Sequence, residues 1–503
     1  MGYLERHVLE TLIYLPMLAA AVIVFVPRDQ ITVVRFISVG TGFVLLAMSI
    51  FVMATFDYDG GSRFQMIRQY DWIDQLGIQF ALGVDGIATP MVLLTGIVTA
   101  AGTIVAANVE KHAKDYYVLL FLLIAGVYGT FVSLDLFFFF FFYELAIVPM
   151  YLLIAVWGSS STFKAFARPK EYGALKLVMM IVAASALVWI AIIAIYIEAG
   201  VGTFNIFVLQ AAVEHGSLSN TFQVVMFPLV MIGFGLLAGL WPFHTWSPDG
   251  HVAAPTSVSM LHAGVLMKLG SFGIIRVGMM LLPEGMEAWA LVLFILGTIN
   301  VMYGAISAIG QHDLKYIVGY SSVSHMGYVL MGIATMETLG LMGATMQMFS
   351  HGIMTALFFL VIGAIYERTH TRDTNVLNGL GSRMKWGTAI FIIAGLTSLG
   401  LPGLSGFISE LFVFLGAFRT QPVLGAFAVI GAAITAIYIL RLIGRTFFGE
   451  SDKQWDGLTD LTVRELSASG ILLVPIFFVG LYPQPLLRVI GPGVDAILAG
   501  LGA

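Results

Sequence analysis

The sequence contains no cysteine in its 503 residues, and only 11% of them are charged. Without cysteine the chain has no disulfides, no thiolate metal sites and no cysteine-ligated iron–sulfur clusters. A soluble domain carries about 25% charged residues, so this chain has too little polar surface to remain dissolved. Because 59% of its residues are hydrophobic, the composition indicates a membrane protein.

Apolar segments of about 20 residues, the length that crosses a hydrocarbon core of about 30 Å, recur along the chain. We therefore predict an all-α membrane protein with about fourteen transmembrane helices. The stretch Leu12–Val26 is interpreted as part of the first span rather than a cleavable signal, and residues 200–221 as an amphipathic connector. The predicted spans lie near residues 8–27, 31–56, 85–107, 115–134, 136–157, 172–197, 222–241, 252–281, 288–309, 314–332, 334–366, 387–417, 422–447 and 465–483.

The basic residues predict the orientation of these spans, because cytoplasmic loops carry the excess of Lys and Arg. An even number of spans leaves both termini on one side, and the distribution places them outside the cytoplasm. One set of alternate loops carries Arg28, Lys111, Lys114, Lys164, Arg168, Lys170, Lys315, Arg368, Arg372, Arg383, Lys385, Arg441, Arg445, Lys453 and Arg464. The opposite loops carry Arg6, Arg63, Arg68, Arg419 and Arg488.

Charged residues and histidines within predicted spans are candidates for function, since each charge costs roughly 2.5–3.5 kcal/mol on insertion scales. Acids, bases and histidines on successive spans are typical of a proton relay in pumps. The eleventh span also carries a polar stripe at every fourth residue, namely Gln347, His351 and Thr355. The candidate relay residues are Glu144, Lys176, Lys268, His325, His351 and Glu410.

Each candidate also has a structural interpretation. A single intramembrane histidine is compatible with a plain hydrogen bond between helices, and Lys176 lies near enough to a span end to extend toward water. Glu144 and Glu410 are compatible with structural ion pairs. The six phenylalanines that precede Glu144, residues 137–142, are best interpreted as lipid-facing and packing residues.

Two spans are predicted to be broken. The seventh runs into GLWPFHTWSPDGHVAAPT, with Pro242, Pro248 and Pro255, and the twelfth contains LGLPGLSGF around Pro402. Proline opens a helix, and interrupted helices at corresponding positions of two halves indicate inverted repeats in transporters. The predicted units are the N-terminal spans at 1–110, a first repeat at 111–285, a second inverted repeat at 286–450 and a C-terminal span at 451–503.

Several stretches carry a family resemblance. They read FYELAIVPMYLLI, PFHTWSPDGHVAAPTSVSMLHAGVLMKLG, DLKYIVGYSSVSHMG, SHGIMTALFFL, YERTHTRD and SLGLPGLSGFISE. With them the chain resembles the M-type (subunit 4) antiporter-like subunits of the proton-pumping NADH–quinone oxidoreductase, respiratory complex I. The first, second and last stretches are shared loosely with Mrp-type cation/proton antiporter subunits. YERTHTRD and the lack of a long C-terminal extension favour the M type over the related L type.

The resemblance implies a non-redox, proton-translocating subunit in a bacterial inner membrane, next to L- and N-type antiporter-like subunits. It implies no cofactor in this chain, with NADH, FMN, iron–sulfur clusters and quinone in partner subunits. In the family, the residue matching Glu144 pairs with the one matching Lys176. The resemblance also places Lys268 in the relay and Glu410 at its outlet, with His325 and His351 along a central polar axis.

One position departs from the family pattern. The family reads K-T-P-L-F-P-F-H at the seventh-span break, whereas this chain reads LAGLWPFH, so Leu237 replaces the lysine and Gly239 the first proline. Lys268, His244, His262 or water are the candidates that could substitute for the lysine. We favour His244, because it lies at the helix break, where irregular backbone lines a cavity.

Three functions are therefore considered. The first is a proton-translocating subunit of complex I, and the second is an Mrp-type cation/proton antiporter subunit that no redox reaction drives. The third is a membrane scaffold that has lost pumping, which the replacement of the lysine at Leu237 makes conceivable.

Overall fold

Helices make up most of the computed structural model, which describes residues 3–59, 63–163 and 166–501. Lys164, one of the orientation residues, lies outside this range. The helices are α1 Tyr3–Phe25, α2 Ile31–Thr55, α3 Ala88–Val105, α4 Ala113–Val132, α5 Leu136–Trp157, α6 Lys170–Ala199, α7 Ile206–Glu214, α8 Asn220–Ala238, α9 Trp246–Ala253, α10 Thr256–Leu261, α11 Met267–Gly273, α12 Pro283–Ile309, α13 Leu314–Ala334, α14 Thr338–Thr369, α15 Lys385–Ser398, α16 Ser405–Thr420, α17 Pro422–Phe447, α18 Val463–Leu481 and α19 Gln484–Gly500.

The predicted all-α membrane fold is confirmed. Thirteen helical segments of the described residues are long and apolar enough to cross a membrane. They correspond to thirteen of the fourteen predicted spans. The remaining one, predicted at 387–417, is divided into α15 and α16 of 14 and 16 residues. Each half is shorter than the roughly 20 residues that a crossing needs, so the two halves together form the broken twelfth span.

The break in the seventh span is stabilised by a side chain from another helix. Helix α8 ends at Ala238 and the chain continues through Gly239, whose φ is 84°. The side-chain amide of the buried Asn300, on α12, donates to Gly239 O at 2.8 Å and accepts from Trp241 N at 2.6 Å. Two backbone groups at the break are therefore satisfied, as membrane depth requires.

The boundary between the seventh and eighth spans differs from the prediction. After the break, α9 continues the seventh span to Ala253, so the predicted start of the eighth span at 252 is wrong. The eighth span is itself irregular. It alternates α10 and α11 with π-helical segments at His262–Leu266 and Ile274–Met279, and it is buried along its length.

The loops that the sequence assigns to one side contact each other. On the arginine- and lysine-rich side, called the basic side, Lys114 Nζ donates to Val26 O at 2.7 Å. Asn108 Nδ2 donates to Glu367 Oε2 at 2.9 Å on the same side. On the opposite side, Arg68 Nε donates to Arg6 O at 2.8 Å. The structure therefore groups the loops as predicted, and their cytoplasmic or external location stays a prediction.

Some elements were not predicted. On the opposite side, β1 Gln65–Ile73 pairs antiparallel with β2 Ile78–Val84. The predicted connector at 200–221 contains α7. On the basic side, Ser161–Phe163 (β3) pairs with Phe166–Arg168 (β4), and α19 follows the last predicted span. The inverted relation between the two halves, and the four units, stay predictions.

Candidate functional site

The phenylalanine run forms the start of α5. Asp135 precedes this helix, and its carboxylate accepts hydrogen bonds from Phe137 N and Phe138 N at 2.9 and 3.2 Å, which satisfies two free backbone donors. The rings lie on all sides of the helix. Phe140 stacks on Trp189 with centroids 4.7 Å apart, whereas Phe141 is exposed on the membrane-facing surface.

Glu144 follows these rings and does not pair with Lys176. It is partly buried, and the Ser185 hydroxyl on α6 interacts with its carboxylate. Its Oε1 atom has no hydrogen-bond partner among the described residues. At 1.5 Å per residue, Glu144 lies about 20 Å from the basic end of α5 and Lys176 about 9 Å from the basic end of α6. The expected Glu144–Lys176 pair is therefore wrong, because the two side chains lie at different depths.

Lys176 instead pairs with a carboxylate that the sequence analysis did not single out. Its Nζ lies 2.7 Å from Oδ2 of Asp249 on α9. Arg168 also forms an ion pair with this buried carboxylate, and the Tyr316 hydroxyl donates to it at 2.8 Å. The aspartate within the quoted SPDGH stretch, next to the helix break, is the signal that could have identified this cluster near the basic side.

Lys268 and His351 form the centre of the structure. Both are fully buried, and Nζ of Lys268 on α11 lies 2.7 Å from Nδ1 of His351 on α14. The lysine also donates to Ala263 O within the first π-helical segment. The structure thus brings together two of the predicted relay residues in direct hydrogen-bond contact.

His325 and Glu410 continue the line from His351. The His325 and His351 ring centroids are 5.4 Å apart, and Nδ1 of His325 lies 3.5 Å from Oε1 of Glu410. The amide of Gln347 lies 3.0 Å from the same Nδ1 atom, and Gln347 Oε1 accepts a hydrogen bond from Ser409. Lys268, His351, His325 and Glu410 therefore follow one another across four spans, and this row is called the relay line; only the ring contact joins its two histidines, because Nε2 of His351 has no hydrogen-bond partner among the described residues.

Part of the predicted polar stripe on α14 serves this line. Gln347 and His351 face the centre and contact His325 and Lys268. Thr355 is also buried, and its hydroxyl donates to His351 O at 2.7 Å in its own helix. Two of the three stripe residues therefore reach other spans.

The break in the twelfth span brings the backbone close to Glu410. Gly400 has a φ of 70°, and a Cβ atom there would lie 2.6 Å from Glu410 Oε2. A glycine is required at this position for two reasons, namely the left-handed backbone and the contact with the carboxylate. The break thus positions one end of the relay line.

Three further histidines lie between the Asp249 cluster and Lys268. Both ring nitrogens of His244, His251 and His262 lack a hydrogen-bond partner among the described residues. The His251 and His262 rings are 4.1 Å apart, and both interact electrostatically with Lys268. His244 contacts the Tyr303 ring at 4.9 Å, and Lys176 is its electrostatic neighbour. His251 was not selected from the sequence.

Leu237, the residue in the place of the lysine, is fully buried at the end of α8. Its backbone lies against Gly270 of α11, where an added Cβ would come within 3.0 Å of Leu237 C. The seventh and eighth spans therefore pack closely here, with an apolar side chain where the family has a base.

Comparisons with known proteins agree with this architecture. The model of the family described as "NADH:quinone oxidoreductase/Mrp antiporter, TM" matches residues 133–435. A relative from Gloeobacter violaceus, named NAD(P)H-quinone oxidoreductase chain 4, is 34% identical over 500 residues, which cover 97% of this chain and 92% of the relative.

Two solved structures share the fold. A chain of respiratory complex I from Thermus thermophilus aligns with a TM-score of 0.88 at 24% identity, covering 98% of this chain and 100% of that chain. A chain of the Mrp complex from Dietzia sp. DQ12-45-1b aligns with a TM-score of 0.83 at 22% identity, covering 100% of both chains.

Proposed function

Because the chain belongs to the NADH:quinone oxidoreductase/Mrp antiporter membrane family, we propose that it is a proton-translocating subunit of the membrane arm of an NADH–quinone oxidoreductase. The observation that carries this proposal is the line of titratable groups formed by Lys268, His351, His325 and Glu410. These groups are buried at membrane depth, where ionisable residues are costly and are typically functional.

The line transfers protons by successive exchange. Protonated Lys268 passes a proton to Nδ1 of His351, and the lysine becomes a neutral amine. His351 then passes a proton to His325, and His325 to the carboxylate of Glu410, which becomes a neutral acid. Each donor is reprotonated from the preceding group, and coupled pairs of this kind load and release protons as a unit.

The Asp249 cluster and the three unpartnered histidines precede this line. Lys176 and Asp249 lie near the basic side, while His251 and His262 interact with Lys268. We assign uptake from the basic side to this region. His244 interacts with Lys176 and His262 with Lys268, so together these two histidines are suited to cover the position that Leu237 leaves apolar.

Electron transfer is assigned to partner subunits, which would hold NADH, FMN, iron–sulfur clusters and quinone. This chain contributes no cysteine ligand to such clusters, and its own role is confined to proton movement. The expected neighbours are the L- and N-type antiporter-like subunits. The expected location is a bacterial inner membrane with both termini outside the cytoplasm, in agreement with the grouping of basic loops.

A second candidate is an Mrp-type antiporter subunit, which the alignment with the Dietzia Mrp chain over the whole length of both chains favours. The curated relative named NAD(P)H-quinone oxidoreductase chain 4, at 34% identity, supports the first function. The two functions differ in their driving force. Proton movement that requires quinone reduction supports the first, and sodium- or potassium-driven proton movement without a redox reaction supports the second.

The test uses the intact complex in liposomes. Glu410→Gln removes the final acceptor but preserves its shape, so we expect quinone reduction to continue with fewer protons moved per electron. Glu284→Gln makes the same chemical change at an exposed position in the first turn of α12 and serves as the control. An unchanged proton-to-electron ratio in Glu410→Gln would show that this carboxylate is structural.

A further inference from the structure

Tyr438, on α17, links the relay line to the basic side of the membrane. Its side chain is buried, and its hydroxyl donates to Ser321 Oγ at 2.8 Å. The same hydroxyl interacts with Thr435 and Ser398. Tyrosine hydroxyls both donate and accept, so this phenol can receive a proton from one side and pass one to the other.

A small cavity lies on the basic side of Tyr438. Its volume is about 20 Å³, and its polar lining consists of Gln311, Thr374, Tyr438, Arg441 and Arg445. A cavity needs only about 10–15 Å³ and two to four polar partners to hold a water molecule. Gln311 and Thr374 belong to loops of the basic side, so the cavity lies between those loops and Tyr438.

Ser398 completes the connection to the relay line. It is the last residue of α15, immediately before the break, and its Oγ lies 3.0 Å from Nε2 of His325. The opposite ring nitrogen of His325 faces Glu410. His325 therefore contacts Glu410 through one ring nitrogen and Ser398 through the other.

We propose that the cavity beside Arg441 and Arg445, together with Tyr438 and Ser398, forms a second proton inlet that reaches His325 without passing through Lys268. A hydronium in the cavity gives its proton to the Tyr438 oxygen while the phenol turns its hydrogen from Ser321 to Ser398. Ser398 in turn passes its own hydrogen to Nε2 of His325, in the tautomer that carries its hydrogen on Nδ1, and that Nδ1 hydrogen leaves for the Glu410 carboxylate. Every hydroxyl gains one proton as it loses one, so neither is left charged.

The second inlet enters the relay line at a different point from the first. In the first half, the apolar Leu237 lies in the same span as Asp249 and packs against the span that carries Lys268. The Tyr438 branch begins at a different group of loops and enters the line beyond that point. Each half of the chain can then take up protons through its own inlet, and Glu410 receives the protons from both.

The inference rests on the proposed function, and the experiment separates the two. In the intact complex reconstituted in liposomes, a pH-sensitive dye on the basic side reports proton uptake during NADH-driven quinone reduction. Tyr438→Phe removes only the hydroxyl, and we expect fewer protons to be taken up per electron, because the branch to His325 closes while the path through Lys268 stays open. Ser398→Ala should lower proton uptake per electron to the same extent. The double variant should lower it no further than either single variant does.

The matched control is Tyr128→Phe, since Tyr128 is also buried and its hydroxyl bonds Ser49 Oγ at 2.9 Å, away from the relay line. If Tyr438→Phe and Ser398→Ala take up protons as Tyr128→Phe does, while Glu410→Gln moves fewer protons per electron, only the inlet is wrong. If Glu410→Gln pumps normally, the proposed function fails. A lower thermal midpoint of Tyr438→Phe with unchanged uptake per electron would show a structural tyrosine and overturn the inlet.

Discussion

Nζ of Lys268 and Nδ1 of His351 lie 2.7 Å apart with no solvent exposure of either side chain. Two positive charges at this distance would repel strongly in a medium of low dielectric constant. The pair therefore holds one proton in preference to two, and loading of one base favours release from the other. The charge state of Lys268 therefore controls that of His351, and the reverse.

The first prediction concerns Lys268→Arg. Arginine keeps the positive charge but does not release its proton in proteins, so we expect fewer protons to be pumped per electron while the complex still assembles. The measurement is the proton-to-electron ratio of the reconstituted complex. Lys111→Arg, on an exposed basic-side loop, is the control. Pumping by Lys268→Arg at the control's rate would show that this lysine acts only as a fixed charge.

The second prediction separates two possible partners of Lys176. The thermal stability of the complex is measured for Lys176→Met, Glu144→Gln and Asp249→Asn, and for the two double variants that contain Lys176→Met. Because Lys176 contacts Asp249 and not Glu144, we expect coupling of about 1.5–3 kcal/mol only with Asp249, as for hydrogen bonds to charged groups. If the stability changes of the single variants add up equally well in the Lys176–Asp249 cycle and in the Lys176–Glu144 cycle, the observed pairing is contradicted.

The sequence was sufficient to predict the spans and the relay residues, because long apolar segments and charges within them are local signals. Lys268, His325, His351 and Glu410 were all selected in this way, and the structure brings them together. Partners across helices could not be predicted, since a helix pattern does not fix the relative depth of neighbours. The pairing of Glu144 with Lys176 was taken from the family resemblance, and Asp249 was not singled out.

The irregular helix segments could not all be predicted from the sequence either. The prolines predicted the two breaks, but the π-helical segments around His262 and Ile274 have no proline to indicate them. Asn300 appears from the sequence as one polar residue in an apolar span. Its role depends on a helix break that lies about sixty residues away in the chain.

The third prediction tests Asn300. Asn300→Leu removes the partners of Gly239 O and Trp241 N, and each unpaired buried group costs about 1–3 kcal/mol. We expect a lower thermal midpoint of the complex and loss of pumping, because the break supports His244. Asn108→Leu is the control, since Asn108 bonds Glu367 at an exposed site. Equal midpoints for the two variants would show that the break is stable without Asn300.

The fourth prediction concerns the histidines near Leu237. His244→Ala and His262→Ala should each slow proton pumping, and the double variant should slow it further, because His244 neighbours Lys176 and His262 neighbours Lys268. The pumping rate at saturating NADH is the readout. His215→Ala, at an exposed site after α7, controls for loss of an imidazole. If the double variant pumps protons at the parental rate, neither histidine is needed, and water alone carries the proton past Leu237.

The last prediction concerns Gly400, where two effects of a methyl group can be separated. Gly400→Ala places a Cβ at a left-handed backbone position, at a cost of roughly 1–2 kcal/mol, and also 2.6 Å from Glu410 Oε2. Gly403, in the same break, has a φ of 95° but no atom within 3.8 Å of such a Cβ, the nearest being a Leu481 carbon at 3.9 Å. Gly403→Ala therefore reproduces the backbone strain alone.

Both variants should lower the thermal midpoint of the complex. Only Gly400→Ala should also lower the proton-to-electron ratio, because its methyl group displaces the Glu410 carboxylate from His325. If both variants pump alike, the position of that carboxylate does not limit proton release.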